Sequence, residues 1–347
     1  MTAPTTSYHL RPHSGWLNDP NGMTFRDGVW HVLFQHNPAA PQHRQIAWGH
    51  AVSDDLANWR LLPVAFGPTP GGPDSSGCWS GVFLPGHERP GVVYSGVTDE
   101  SGASTVCLRW GSPDLVTWDA PVVVAPTPHI DDIAVMRDPF VFELDGRPLA
   151  ILGAGRRDGT HVVLLFDRQN ELVWRYLGLF VADDPVLAAA VTADVWECPQ
   201  LFRLEDRWVL LVSVLDGDRP AGELAAVGRV ETDGARPRFV AEHANLLDIG
   251  PDLYAVQATV ADGKPLLIGW VRQQAQDPAV RDHAGCLSLP RRVKLVGERV
   301  VSFVDPGATE ALVGCWRLLG AGGTSLAERR WALRVAGDGV RLTHPAH

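Results

Sequence analysis

The chain alternates between short apolar runs and turn-forming residues along most of its length. Runs such as GVWHVLFQ (residues 28–35), THVVLLF (160–166) and DRWVLLVSV (206–214) are separated by segments rich in Gly, Pro, Asn and Asp. This arrangement is typical of β-strands joined by turns. Helical periodicity is hard to find, and only DPVLAAAVTADVW (184–196) is compatible with a helical turn. We therefore predict an all-β fold.

A repeat of nearly constant length lies within this pattern. SDDLANW ends at Trp59 and SPDLVTW ends at Trp118, 59 residues later; a looser copy, DRQNELVW, ends at Trp174 after another 56 residues. Units of this size with several strands each are typical of a β-propeller, whose blades are four-stranded sheets around a central channel. The repeat predicts five blades, with each tryptophan closing the hydrophobic layer of its blade.

Five dissimilar side chains follow the same spacing. They are separated by 61, 58, 59 and 57 residues, so each is expected at a matching point of its own blade: Asp19, Ser80, Asp138, Glu197 and Tyr254. If that point lies at the end of the innermost strand, the five side chains converge on one mouth of the channel. The crowded motif SGWLNDPNG (14–22) is then one fifth of a site and not a free surface turn.

Three of these residues are carboxylates, and carboxylates that share a cavity shift one another's pKa. Separated carboxyl pKa values are what acid/base catalysis on sugars requires. We expect Arg137 to be the counter-ion of Asp138. We expect the neighbours of Glu197, Trp196 and Cys198, to give it an apolar setting that favours the neutral form. The alternative is that the carboxylates only cap turns.

Proline follows each carboxylate closely, in DPN, RDP and ECP. Because proline cannot donate to a strand ladder, pairing should end there. Neighbouring residues of a regular strand also point to opposite faces, so Arg137 and Asp138 can both reach a ligand only if the strand is irregular. We predict local irregularities at these prolines.

Composition and charge argue against several classes of binding partner. A formal net charge of −10 and the scarcity of Lys and Arg runs argue against nucleic acid. No apolar run is long enough to span a membrane, and the first residues lack the order of a secretory signal, so we expect a cytoplasmic protein. Five scattered cysteines fit reduced thiols, and we assign no metal and no cofactor.

Several motifs, taken together and in order, resemble glycoside hydrolase family 32, the β-fructofuranosidases. WLNDPNG, RDP and ECP resemble the three signatures of that family. HVLFQHNP, WGHAVSDDLANW, CWSGVF, DIGPDLYAVQ, GWVRQ and AGCLSLPRRV resemble other family stretches, so the similarity spans about residues 8–300. It implies Asp19 as nucleophile, Glu197 as acid/base and Asp138 as the residue that holds the fructosyl hydroxyls and steadies the charged transition state. It further implies a group of substrate-binding residues: Asn18, Gln35, Trp48, Ser80, Arg137 and Tyr254.

Other side chains are expected at the sugar on general grounds. Tryptophan faces pack on sugar rings, and we expect Trp79 and Trp270 to do so, with Trp16 a further candidate. Each could equally be a core residue. Cys198 follows the proposed acid/base, where we expect it to give structural support to the binding site.

The family appends a β-sandwich to the propeller, whereas about 47 residues follow Val300 here, too few for a sandwich of ordinary size. We predict a catalytic propeller over residues 1–300 and a truncated β segment over 301–347, with RRWALRVAGDGVRLTH forming one hairpin. The surface that a full sandwich would cover is then exposed, covered by this segment, or buried in a homo-oligomer.

The predicted function is retaining release of fructose from small β-fructofuranosides, such as sucrose, phosphorylated sucrose or fructo-oligosaccharides. Three alternatives stay open from the residues alone. One is fructosyl transfer from the same covalent intermediate. The second is an inverting furanosidase of the arabinan or xylan type, which needs a wider separation of the carboxyl groups. The third is a sugar-binding propeller without activity.

Overall fold

The protein is a five-bladed β-propeller, as the repeat predicts. The computed structural model describes residues 8–99, 101–191, 193–217, 219–233, 236–272 and 283–312. The predicted hairpin over 329–344 lies outside these residues, and the division of the chain near residue 300 stays a prediction. None of the helices in the described ranges is long and apolar enough to cross a membrane.

Each blade is an antiparallel sheet whose strands follow one another in sequence, with the first strand innermost. Blade one contains β1 (Gly15–Arg26), β2 (Val29–Asn37), β3 (Ala47–Ser53) and β4 (Arg60–Phe66). Blade two contains β5 (Gly77–Phe83), β6 (Gly91–Val97), β7 (Ser104–Trp110) and β8 (Val122–Ala125). Blade three contains β9 (Ile133–Leu144), β10 (Arg147–Arg156), β11 (His161–Asp167) and β12 (Arg175–Val181).

The last two blades complete the ring. Blade four contains β13 (Val195–Leu204), β14 (Arg207–Asp216), β15 (Arg219–Asp233) and β16 (Arg236–Leu246). Blade five contains β17 (Leu253–Ala261), β18 (Lys264–Val271), β21 (Arg291–Val296) and β22 (Arg299–Val304), and β20 (Cys286–Leu287) pairs with β18. The short β19 (His283–Ala284) crosses to blade one, where it pairs in parallel with the start of β1.

Two short helices accompany the strands. The helix α1 (Pro185–Ala190) confirms the one helical turn indicated by the sequence; Asp184 caps it by accepting the N–H groups of Val186 and Leu187. The helix α2 (Pro306–Leu312) was not foreseen. It begins with proline after Asp305, whose carboxylate accepts the N–H of Ala308, and both features are typical of helix starts.

The hydrophobic core is divided among the five blade interfaces, one cluster to each. Alternate residues of a middle strand serve different interfaces. In β10, Leu149 and Ile151 pack towards blade four, whereas Ala150 and Leu152 pack towards blade two. Burial on both faces explains why such strands are continuous apolar runs and do not alternate with polar residues.

The repeated tryptophans lie where the third strand of a blade turns into the fourth. In the first two copies the indole N–H donates to a backbone carbonyl three residues earlier, at 3.2 Å from Trp59 to Leu56 and from Trp118 to Leu115. Leu56 and Leu115 both have positive φ. The two turns are therefore the same structure built twice, and their rings pack against core clusters as predicted.

Blades three and four are in close backbone contact at a glycine. A Cβ added to Gly153 would lie 2.1 Å from the carbonyl oxygen of Trp196. We predict that Gly153→Ala lowers the free energy of unfolding by about 1–3 kcal/mol, because the backbones must separate. Gly67→Ala is the control, since its Cβ would meet no atom closer than 3.5 Å. Chemical denaturation measures both; equal stability of the two variants would contradict the prediction.

Candidate active site

Every innermost strand carries a β-bulge, where two residues lie opposite one residue of the neighbouring strand. A bulge of this kind bends a strand and redirects its side chains. The paired residues and their single partners are Asn18 and Asp19 opposite Gln35, Trp79 and Ser80 opposite Ser95, Asp138 and Pro139 opposite Leu152, Cys198 and Pro199 opposite Val212, and Ala255 and Val256 opposite Gly269.

The irregularities predicted at the three prolines are confirmed, and the two blades without proline have them as well. In the last three blades the first bulge residue has positive φ, at 60° for Asp138, 47° for Cys198 and 50° for Ala255. The spacing predicts the five side chains at matching points of their blades. Their positions relative to the bulge differ by up to two residues. Asp138 occupies the first bulge position, whereas Glu197 and Tyr254 immediately precede their bulges.

The bulges open onto a cavity of about 470 Å³. Because of the bulges, sequence neighbours contribute together to its wall, as Asn18 does with Asp19 and Arg137 with Asp138. The three carboxylates singled out in the sequence all line this one space. The full lining is Trp16, Asn18, Asp19, Gln35, His43, Trp79, Arg137, Asp138, Glu197, Leu215, Pro220, Tyr254, Trp270, Arg272, Ala284 and Gly285.

Asp19 is held by three oxygen and nitrogen side-chain donors, and the Cys198 thiol lies 3.8 Å from its Oδ2. Ser80 Oγ donates to its Oδ2 at 2.6 Å, Gln35 Nε2 donates to the same oxygen at 2.9 Å, and Asn18 Nδ2 donates to Oδ1 at 3.0 Å. Burial raises the pKa of Asp19 to about 6, and the hydrogen bond from Ser80 opposes that rise. The carboxylate is therefore ionised at neutral pH and fixed in orientation, as a nucleophile requires.

Asp138 has fewer donors and lies deeper. Its Oδ2 accepts the backbone N–H of Cys198 at 3.0 Å and lies 3.6 Å from the Cys198 thiol. Burial, followed by the negative charge of Glu197, raises the pKa of Asp138 to about 8. The raised pKa favours the protonated form of Asp138, which can donate a hydrogen bond.

Glu197 receives the guanidinium that we expected at Asp138. Arg137 Nη1 donates to Glu197 Oε1 at 2.9 Å, and Tyr254 Oη donates to Oε2 at 2.7 Å. The expected apolar setting of Glu197 is not found, because the ring of Trp196 packs in the core between blades three and four. The bulge sends the Glu197 side chain towards the cavity and its polar partners.

Aromatic rings form the walls around the carboxylates. Trp16 meets the ring of Trp270 edge-on at 5.7 Å, and His43 meets Trp16 and Trp79 at 6.1 and 5.4 Å. The guanidinium of Arg137 lies 5.3 Å from the Trp79 ring centre. Trp16, Trp79 and Trp270 thus all present surface to the cavity, where a sugar ring can pack on them.

Three residues expected at the substrate lie behind the cavity wall. Trp48 is 0% exposed and packs on Phe66 and Tyr94, so it presents no surface to a ligand. Ser80 is buried and acts on Asp19, and buried Cys198 supports Asp138 through its N–H. The structural role expected for Cys198 agrees with this placement, whereas direct sugar contact by Trp48 does not.

Sequence reasoning missed His43. Its Nε2 donates to Gln35 Oε1 at 3.1 Å, and burial lowers the pKa of the imidazole, so the neutral ring orients a residue that binds Asp19. It lies in the connection between β2 and β3, outside any strand, and no period could have indicated it. Arg272, at the rim of the cavity, was missed for the same reason.

Comparisons with known proteins agree with this geometry. A model of the glycosyl hydrolases family 32 N-terminal domain matches residues 9–303. The chain belongs to glycoside hydrolase family 32. A sucrose-6-phosphate hydrolase of Zymomonas mobilis is 32% identical over 311 residues, covering 85% of this chain and 60% of that protein. A levanase of Bacillus subtilis is also 32% identical, covering 83% of this chain and 44% of that protein.

Solved family 32 structures share the fold. A β-fructofuranosidase of Bombyx mori superposes with a TM-score of 0.73 at 28% identity, covering 86% of this chain and 65% of that one. Fructan 1-exohydrolase IIa of Cichorium intybus superposes with a TM-score of 0.73 at 26% identity, covering 88% and 61%. The chain therefore spans between 44% and 65% of the length of these relatives.

The buried carboxyl of Asp138 should make the stability of the protein depend on pH. Burial raises the pKa of Asp138 from the ordinary value of 3.8 to about 8 in the folded protein, so between these values the folded protein keeps a proton that the unfolded chain has lost. Its contribution to stability is therefore present below pH 4 and is lost as the pH rises through 8. We predict that Asp138→Asn makes the free energy of unfolding fall less steeply between pH 5 and pH 8.

Chemical denaturation at several pH values measures this slope. Asp206→Asn, a substitution of an exposed aspartate in the β13–β14 turn, should keep the slope of the parent protein. An Asp138→Asn variant with the same slope as the parent would show that the buried carboxyl is not protonated in the folded protein.

Proposed function

We propose that this family 32 protein is a retaining β-fructofuranosidase that releases fructose from small fructosides. The observation that carries the proposal is that Asp19 and Glu197 line one cavity and that each is held by its own set of donors. Asp19 is ionised and fixed by three donors, whereas Glu197 is oriented by Arg137 and Tyr254. A nucleophile and an acid/base, each fixed by its own neighbours, are what retaining hydrolysis uses.

In the first step, a carboxylate oxygen of Asp19 forms a bond to the anomeric carbon of the fructosyl unit. The glycosidic bond breaks with its electron pair on the leaving oxygen, and Glu197 delivers a proton to that oxygen. In the second step, Glu197 takes a proton from water, the water oxygen bonds to the anomeric carbon, and the ester bond to Asp19 breaks. Sugar in place of water in the second step gives fructosyl transfer.

Asp138 serves the fructosyl hydroxyls in this proposal. Its protonated carboxyl can donate to a hydroxyl, and its free lone pairs can accept from another. Hydrogen bonds to ring hydroxyls that strengthen in the transition state contribute to glycoside hydrolysis. Trp16, Trp79 and Trp270 would pack on the sugar rings.

The names of relatives and the cavity size support a proposal for the substrate class. Relatives at 32% identity are named sucrose-6-phosphate hydrolase and levanase, and structures of family members at 28% and 26% identity contain sucrose and 1-kestose. A cavity of about 470 Å³ suits a di- or trisaccharide rather than a polymer. We propose sucrose, its phosphate and 1-kestose as substrates.

The test uses Asp19→Ala and Glu197→Ala in a fructose-release assay with sucrose, sucrose 6-phosphate, 1-kestose, inulin and levan. Asp19→Ala should reduce turnover to background, because no nucleophile remains. Glu197→Ala should reduce kcat by about 10²–10⁴, the usual contribution of general acid/base catalysis. With β-fructofuranosyl fluoride, whose leaving group needs little protonation, the loss in Glu197→Ala should be much smaller.

Asp206→Ala is the matched control in the same blade as Glu197 and should keep the parental rate, since Asp206 is exposed in the β13–β14 turn. Retained turnover by Asp19→Ala would refute the nucleophile assignment. Absence of fructose release by the folded parent on all five substrates would refute the function.

A further inference from the structure

Glu223 is a buried acid to which the proposed mechanism gives no task. It lies on β15, is 1% exposed and does not line the cavity. Its Oε2 accepts the Ser213 hydroxyl at 2.7 Å and the N–H of Val256 at 3.4 Å. Within the described ranges its Oε1 has no hydrogen-bond partner. Burial raises the pKa of this carboxyl to about 8. A buried carboxyl is costly, so its contacts merit a functional explanation.

Strand register places Glu223 in line with the proposed acid/base. Glu197 of β13 lies opposite Ser213 of β14, which in turn lies opposite Glu223 of β15. Residues directly opposite in neighbouring strands have side chains on the same face of a sheet. The three side chains therefore form a row on one face of blade four, from the cavity at Glu197 to the buried acid.

Blade five completes the connection. Ser213 Oγ accepts the N–H of Ala255 at 3.0 Å. Ala255 is the first bulge residue of β17, with a φ of 50°. The residue before it, Tyr254, donates to Glu197 Oε2 at 2.7 Å. Glu223 is thus connected to Glu197 through Ser213, the bulge of β17 and the Tyr254 hydroxyl.

The bulge of β17 needs such support. A non-glycine residue with positive φ costs about 1–2 kcal/mol, and this conformation persists only where its surroundings impose it. Both N–H groups of the bulge, those of Ala255 and Val256, are bound by Ser213 and Glu223. Removal of the acid would leave Ser213 free to rotate and would release Val256.

We propose that Glu223 is a positioning residue of the active site. Glu223 acts through Ser213 and the bulge of β17. It fixes the backbone position of Tyr254 and hence the hydrogen bond from the Tyr254 hydroxyl to Glu197. This role rests on the proposed function, since it concerns how the acid/base of that reaction is held. It assigns Glu223 to the site although it touches neither substrate nor a reacting atom.

The experiment measures kcat and KM for sucrose hydrolysis, and the pH dependence of kcat/KM, in purified variants of the full chain. Glu223→Leu should lower kcat by about 10- to 100-fold, the size expected for misplacement of a catalytic group by a fraction of an ångström to 1 Å, with a smaller change in KM. The pH profile of kcat/KM should also change, because the Tyr254 hydroxyl no longer holds the Glu197 side chain in place. Glu223→Gln should largely restore both, since its amide oxygen can accept from Ser213 and Val256.

A double-mutant cycle separates positioning from general stability. In the Tyr254→Phe background, Glu223→Leu should have little further effect on kcat, because the contact that it controls is already absent. Glu231→Leu is the matched control on the same strand; the Glu231 side chain is 43% exposed and pairs with Arg229, so kcat should stay parental. Ser213→Ala breaks the same connection and decides the question if thermal melting shows that Glu223→Leu does not fold.

Two results would overturn the proposal: parental kcat and pH profile in folded Glu223→Leu, or losses that add fully to those of Tyr254→Phe. If the parent itself releases no fructose, the proposed function fails instead. A crystal structure of Ser213→Ala then tests the positioning alone. An unmoved Tyr254 would refute it, and a displaced Tyr254 would support it.

Discussion

Each innermost strand departs from its antiparallel ladder for two residues at the mouth of the channel, and the site depends on that departure. A regular strand would present one residue of each neighbouring pair to the cavity and bury the other. With the bulges, Asn18 and Asp19 stand side by side, as do Arg137 and Asp138. Five short interruptions in a repetitive fold thus gather a set of unlike polar groups on one surface.

The surroundings then give three similar carboxyls different properties. Asp19 has a high density of neutral donors, Glu197 has a guanidinium and a phenol, and Asp138 has little more than one backbone N–H and a thiol. Asp19 and Glu197 accept from side-chain oxygen and nitrogen donors, whereas the only side-chain group near Asp138 Oδ2 among its hydrogen bonds in the described residues is the Cys198 thiol at 3.6 Å. Keeping such groups out of water lowers stability, and a cost of this kind is common where a site is built for chemistry.

Much of this arrangement could be predicted from sequence because a propeller repeats. The period of about 59 residues indicated the blade count, and it placed Asp19, Asp138 and Glu197 at one mouth of the channel. Prolines beside carboxylates indicated the irregular strands. The same regularity failed at the level of single residues, since the bulges are offset by up to two positions between blades.

The residues that sequence reasoning misplaced or missed have a common feature. Their positions depend on contacts between blades or on segments that connect the strands. Spacing cannot show that Arg137 reaches across to Glu197 of the next blade, or that Trp48 turns into the core. Nor can it indicate His43, which arrives from a connection, or Glu223, which lies on the third strand of its blade. These residues orient the repeated ones, and each has a partner far away in sequence.

The central claim is that Asp19 and Glu197 act on one sugar from the two sides of its anomeric carbon. A crystal structure of the Glu197→Gln variant after reaction with β-fructofuranosyl fluoride tests it most directly. The account predicts continuous density between Asp19 and the fructosyl anomeric carbon, with the side chain at position 197 about 5–5.5 Å from the Asp19 carboxyl. An unmodified Asp19 with a separation of about 6.5–9.5 Å would contradict it and indicate an inverting enzyme.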